Sequence, residues 1–112
     1  VFDGVNNRMR IASEEIFGPV LSVIGFTTAE GAIEIANDSI YGLAAAVWTS
    51  NINTAHKVAK ALRAGSVGIN HYDGGDMTAP CGGFKQSGNG RDKSLHAFDK
   101  YTELKATWLV LD

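Results

Sequence analysis

Residues 20–26, Val-Leu-Ser-Val-Ile-Gly-Phe, form an apolar run rich in β-branched side chains. Such a run predicts a buried strand. Residues 1–18 ahead of it are mixed and polar, and Pro19 biases Gly18 away from helix, so a turn leads into the strand. Behind it, Thr27-Thr28-Ala29-Glu30 fits a capping box, with the Thr27 hydroxyl as cap and Glu30 reaching back. Ala29, Ala32, Ile33 and Ala36 then share one face of a helix that runs to about Asn37 and is broken at Tyr41-Gly42.

Residues 43–49, Leu-Ala-Ala-Ala-Val-Trp-Thr, make a second apolar run, whose length and flanking Gly42 and Asn51 favour a strand. Asn51 or Asn53 caps the next helix, which carries Ile52, Ala55, Ala59 and Leu62 on one face and extends to about Ala64. Gly65 suits the left-handed position that ends a helix. Residues 66–70, Ser-Val-Gly-Ile-Asn, give a short third strand. The order β-α-β-α-β predicts an α/β fold with a parallel sheet covered by helices.

Six of the thirteen glycines then fall within residues 71–93. A glycine-rich loop of about 20 residues inside a compact domain is usually functional or disordered. Residues 94–99 fit a short helical turn. Residues 101–111, Tyr-Thr-Glu-Leu-Lys-Ala-Thr-Trp-Leu-Val-Leu, alternate as a final strand, with Leu104, Ala106, Trp108 and Val110 on one face. Trp48, Trp108, Tyr101, Phe26 and Phe98 are expected at core or interface positions.

The 112 residues are 45% apolar and 20% charged, values of a globular chain long enough for a modest core. A net charge of −2 leaves no basic excess for nucleic acid or an anionic membrane surface. No apolar stretch is long enough to span a bilayer. Cys81 is the single cysteine, which excludes an intrachain disulfide and fits a reducing, cytoplasmic setting.

Little of this composes a catalytic centre. Gly88-Asn89-Gly90 begins a dinucleotide fingerprint, but Lys93 stands where its third glycine belongs; Gly83 to Gly88 has phosphate-loop spacing, but Asn89 replaces the lysine. His56, His71 and His96 lack metal-ligand spacing, so no metal site is expected. Cys81 reads as an ordinary thiol, since a lone cysteine with distant histidines is a poor nucleophile signature. The Glu14-Glu15 pair beside the turn holds more chemistry. A carboxylate there can accept two hydrogen bonds from a vicinal diol, and an adjacent aromatic can cover a flat ring. A solvated acidic turn with a buried Phe is the competing reading.

Five blocks, in order and spacing, resemble the aldehyde dehydrogenase superfamily. They are Glu14-Glu15-Ile16-Phe17-Gly18-Pro19-Val20, Asn37-Asp38-Ser39-Ile40-Tyr41-Gly42-Leu43, Gly68-Ile69-Asn70, Pro80-Cys81-Gly82-Gly83-Phe84-Lys85-Gln86-Ser87-Gly88 and Tyr101-Thr102-Glu103-Leu104-Lys105. Residues 72–77 and 88–96 look most like bacterial members that oxidise γ-glutamyl-γ-aminobutyraldehyde in putrescine breakdown.

The resemblance implies NAD- or NADP-dependent oxidation of an aldehyde to its acid through a cysteine thiohemiacetal. It implies that Glu15 accepts hydrogen bonds from the nicotinamide ribose and that Phe17 packs by the nicotinamide ring. Gly74, Gly75 and Cys81 would border the aldehyde entrance. Asn70 would support the fold beneath the site, and Arg91 and Glu103 would form an ion pair. Residues 1–100 would be the C-terminal part of the catalytic lobe with its returning loop, and residues 101–112 an oligomerisation strand for self-association. The family nucleophile, general base and dinucleotide-binding domain lie upstream of this segment, so Cys81 is not that nucleophile. Catalytic residues are therefore expected to be absent, and this chain, which opens on Val1, is expected to be an inactive fragment. The alternative is a small stand-alone interaction module that pairs through its last strand.

Overall fold

The computed structural model describes residues 1–72 and 75–112. Three α-helices, four short strands and one 3₁₀ segment follow one another: α1 (Arg10–Ser13), α2 (Ala29–Asn37), β1 (Tyr41–Gly42), β2 (Ala44–Val47), α3 (Ile52–Ala61), β3 (Ser66–Ile69), β4 (Phe84–Lys85), then the 3₁₀ segment Leu95–Lys100.

The β2-α3-β3 unit is the best-formed part. Asn51 caps α3, its side-chain oxygen accepting from the Thr54 N–H at 3.0 Å. The apolar stripe of α3 places Ala55 and Val58 in the core. β2 and β3 pair in parallel, with Ala44 opposite Ser66 and Val47 opposite Ile69. α3 covers both strands and touches α2. β1 and β4 form a separate antiparallel pair, Tyr41 opposite Lys85 and Gly42 opposite Phe84. Part of the glycine-rich stretch is therefore strand, and Cys81 and Asp92 close its ends through reciprocal backbone hydrogen bonds of 2.7 and 2.6 Å.

Several elements differ from the sequence expectation. Residues 20–26 are not a regular buried strand. They make one isolated parallel bridge, Phe2 to Ser22, and Leu21 and Phe26 are exposed. The cap of α2 is Thr28, which accepts from the Gly31 N–H at 3.1 Å, rather than Thr27; the two threonines are equivalent in pattern, and backbone geometry selects the second. Helix α3 stops at Ala61, and Gly65 does not take a left-handed φ. Its small size is needed for another reason: a Cβ on Gly65 would stand 1.7 Å from the Gly82 carbonyl oxygen. Residues 102–112 are exposed and belong to no strand, since no other described segment lies alongside to complete their hydrogen bonds.

Burial is slight. Val5, Ala55 and Val58 are the buried apolar side chains, and Trp48, Phe98, Tyr101 and Trp108 are exposed rather than in a core. The accessible surface is 9306 Å². A compact protein of 11.9 kDa exposes about 5,900 Å² by the usual scaling with mass. The radius of gyration is 18.9 Å, against about 13 Å for a compact domain of this length. The exposed side chains include large apolar ones along the chain and throughout the tail. Among the described residues no helix is long and apolar enough to cross a membrane, and no cluster of His, Cys, Asp and Glu could hold a metal.

Candidate functional site

The one-turn helix α1 ends at Ser13 and delivers Glu14 and Glu15 into a turn. The two acids have different fates. Arg10, one turn earlier, grips Glu14 with two parallel bonds, Nε to Oε1 at 2.8 Å and Nη2 to Oε2 at 2.9 Å. The guanidinium hydrogen bonds hold the Glu14 carboxyl below its ordinary value. Glu15 makes no hydrogen bond or ion pair among the described residues. It lines an open groove of about 460 Å³ together with Ala12, Ser13 and Glu14 from its own stretch and Tyr41, Leu43, Gln86 and Ser87 from two others.

Phe17 stands two residues on, 94% exposed and with φ of 54°. The left-handed region is unfavourable for a bulky residue, and such strain clusters at ligand-binding turns. An unpaired carboxylate and an uncovered ring thus lie within one turn, and the buried Phe of the competing reading is absent.

The stretch with Gln86 and Ser87 is held by one backbone and one side-chain hydrogen bond. The Gln86 N–H donates to the Ile40 carbonyl at 2.9 Å, and the Gly42 N–H donates to Ser87 Oγ at 2.9 Å. Tyr41, Gln86 and Ser87 give no residue-type signal, since none is charged and none stands in a nucleophile–base pattern in the sequence. Their signal lay in the ordered blocks around residues 37–43 and 80–88.

The remaining candidates lie elsewhere. Asn70, at φ 57°, clips the end of β3 to the residue after the Val47-Trp48 step: its Oδ1 accepts from the Thr49 N–H at 2.9 Å, and its Nδ2 donates to the Thr49 carbonyl at 3.1 Å. Cys81 is an exposed free thiol outside the groove. A Cβ on Gly75 would meet Lys93 Nζ at 3.2 Å; Gly74 lies outside the described residues. The Arg91–Glu103 ion pair is not formed. Arg91 Nη1 instead donates to the Gly83 and Gly90 carbonyls at 3.0 and 2.6 Å, and its guanidinium stacks on the Phe84 ring, while Glu103 sits in the exposed tail. A larger hollow of about 950 Å³ beside Asn6, Arg8 and Glu34 has none of these candidates on its walls.

The described residues thus present an α/β surface with an acid that makes no hydrogen bond and an exposed aromatic two residues on. The model of the aldehyde dehydrogenase family matches residues 1–107, and the chain belongs to that family. It is 56% identical over all 112 residues to the NADP/NAD-dependent aldehyde dehydrogenase PuuC of Escherichia coli, of which it covers 23%. The crystal structure of the aldehyde dehydrogenase KauB from Pseudomonas aeruginosa superposes with a TM-score of 0.91 at 79% identity, over 97% of this chain and 22% of that one. The same identity, coverage and TM-score hold for the AldA indole-3-acetaldehyde dehydrogenase of P. syringae, solved with NAD+ and IAA. The chain thus spans under a quarter of the length of these relatives.

Proposed function

We propose that this chain is the C-terminal part of an NAD(P)-dependent aldehyde dehydrogenase and that its groove holds the nicotinamide half of the cofactor. The observation that carries the reading is the division of labour between the two acids. Arg10 neutralises Glu14, which leaves Glu15 as the acceptor beside the exposed Phe17 ring. NAD(P) supplies the hydride acceptor when bound. Glu15 accepts hydrogen bonds from a vicinal diol, and Phe17 covers one face of a flat ring and excludes water from it. Asn70 holds the β2 and β3 ends in register below.

The substrate is an aldehyde, and a γ-glutamylated amino aldehyde is the favoured candidate. Small residues at Gly75 and Cys81, with Gly74, support a wide entrance. A second reading, an arylacetaldehyde, is supported by the 79% identity to the indole-3-acetaldehyde enzyme. Residues 101–112 pair with another copy or subunit. With no basic excess and a free cysteine, the parent enzyme works in the cytoplasm without nucleic acid or membrane as partner. The isolated chain is inactive. An interaction module remains the alternative, and the mass of the native product decides between them: the module has 11.9 kDa, the enzyme the mass of a full-length relative.

The test of the site is Glu15→Gln in the full-length enzyme. Weakening charge-assisted bonds to a diol costs about 1.5–3 kcal/mol, roughly 10- to 150-fold in rate. An unchanged single-turnover hydride rate refutes the assignment.

A further inference from the structure

The C-terminal end of α2 is gripped from two sides by residues distant in sequence. The last carbonyls of a helix have no partner within it. Here Asn7 Nδ2 donates to the Ile35 carbonyl at 2.9 Å and to the Asp38 carbonyl at 3.3 Å. From the other side Lys85 Nζ donates to the Asn37 carbonyl at 2.8 Å and the Ser39 carbonyl at 2.9 Å. An ammonium there also meets the negative end of the helix dipole.

These two grips lead to two stretches that line one groove. Asn7 precedes α1, and Glu15 follows it. Lys85 is followed directly by Gln86 and Ser87, which line the same groove as Glu15. Lys85 itself has φ of 54°, an unfavourable backbone state for a residue with a Cβ. The side chain reaches the helix end from that state, and the chain turns at once into the groove wall. Asn37 adds a third tie: its Nδ2 donates to the Ala61 carbonyl at 2.9 Å, and its Oδ1 accepts from the Arg63 N–H at 2.7 Å. The helix end is thereby fixed to α3 and acts as a rigid post between the walls.

We propose that Lys85 is a positioning residue, whose two bonds to the Asn37 and Ser39 carbonyls set the distance between the Gln86-Ser87 wall and Glu15. This rests on the reading of the groove as the nicotinamide site. Lys85 touches neither cofactor nor aldehyde; it acts through the wall. A ring displaced by about 1 Å from attack geometry loses up to roughly 100-fold in rate.

The experiment uses the full-length enzyme carrying this segment, with Lys85→Met, Lys85→Arg and Glu15→Gln compared for single-turnover hydride transfer and for KM of cofactor and aldehyde. Lys85→Met is expected to slow hydride transfer roughly 10- to 100-fold and raise the cofactor KM, leaving the aldehyde KM within about twofold. Lys85→Arg, which keeps two donors on one long side chain, is expected to restore most of the rate. If Lys85→Met does not fold, Lys85→Arg carries the test alone, with a wild-type melting temperature and a cofactor KM within about threefold as the expected result. Slow Glu15→Gln with normal Lys85→Met overturns the inference and spares the site. Normal Glu15→Gln overturns both. Equal losses in the cofactor and aldehyde KM of Lys85→Met, with no rescue by arginine, reduce Lys85 to general stability and also overturn it.

Discussion

Arg10 and Glu14 meet through two parallel hydrogen bonds, 2.8 and 2.9 Å long, one helical turn apart and on the surface. The pair leaves the next residue, Glu15, unpaired. It also carries a pH signature. The folded Glu14 carboxyl lies below its ordinary value of 4.5, so the pair adds stability above that value and loses it as pH falls through the lowered one. Arg10→Gln should move the Glu14 titration up toward 4.5 in a carboxyl-carbon NMR experiment. No movement would mean the pair does not persist in water.

Phe17 separates stability from function. Replacing it with glycine relieves a left-handed φ of 54°, worth about 1 kcal/mol in backbone strain. Within this chain the ring is almost wholly exposed, so its removal sacrifices little packing among these residues. In the full-length enzyme Phe17→Gly should therefore melt no lower than wild type while hydride transfer slows. A loss of both together would make the ring a packing residue.

Gly65→Ala should be among the most damaging single changes in the chain. The added methyl would stand 1.7 Å from the Gly82 oxygen, backbone against backbone. Overpacking of this kind costs about 3 kcal/mol or more. Loss of cooperative melting, or of soluble product, is expected; a wild-type melt would contradict the close approach.

The tail gives a prediction about association. Leu104, Trp108, Leu109, Val110 and Leu111 are all largely bare, with Trp108 at 92% exposure. A strand with free N–H and C=O groups is a template for pairing. Sedimentation of residues 1–112 should show self-association at about 100 μM, and residues 1–100 should not. Monomers in both cases would refute pairing through residues 101–112.

For substrate, the full-length enzyme should show a higher kcat/KM with long amino aldehydes than with acetaldehyde. Equal efficiency would remove the wide-entrance reading.

Helices α2 and α3 and the β2–β3 pair are legible because their signals are local, whereas α1, inside the mixed polar stretch 1–18, is not. Asn51, the α3 stripe and the Ala-rich run each specify structure within a few residues. The strand at 20–26 was misread because its apolar side chains are suited to a surface that this chain does not supply. Gly65 was located but given the wrong reason, since the approach of Gly82 depends on a contact 17 residues away that spacing does not encode. Glu15 and Phe17 were found by residue type, yet only the Arg10 bond shows why the second acid and not the first stays unpaired. Lys85 lies in the block at 80–88, but its residue type says nothing of its role, which rests on two carbonyls more than 40 residues earlier.

The Asn70 clip depends on the two polarities of its side chain. Its amide presents an acceptor to the Thr49 N–H and a donor to the Thr49 carbonyl, imitating one rung of a ladder just where the backbone leaves the strand. Conversion of that amide to a carboxylate by direct hydrolysis, giving aspartate, would keep the side chain's shape but reverse the polarity of one end. An oxyanion would then face a carbonyl oxygen with no proton between them, at about 1–3 kcal/mol for the lost bond. A chain carrying that carboxylate would lose this rung, at the ends of β2 and β3.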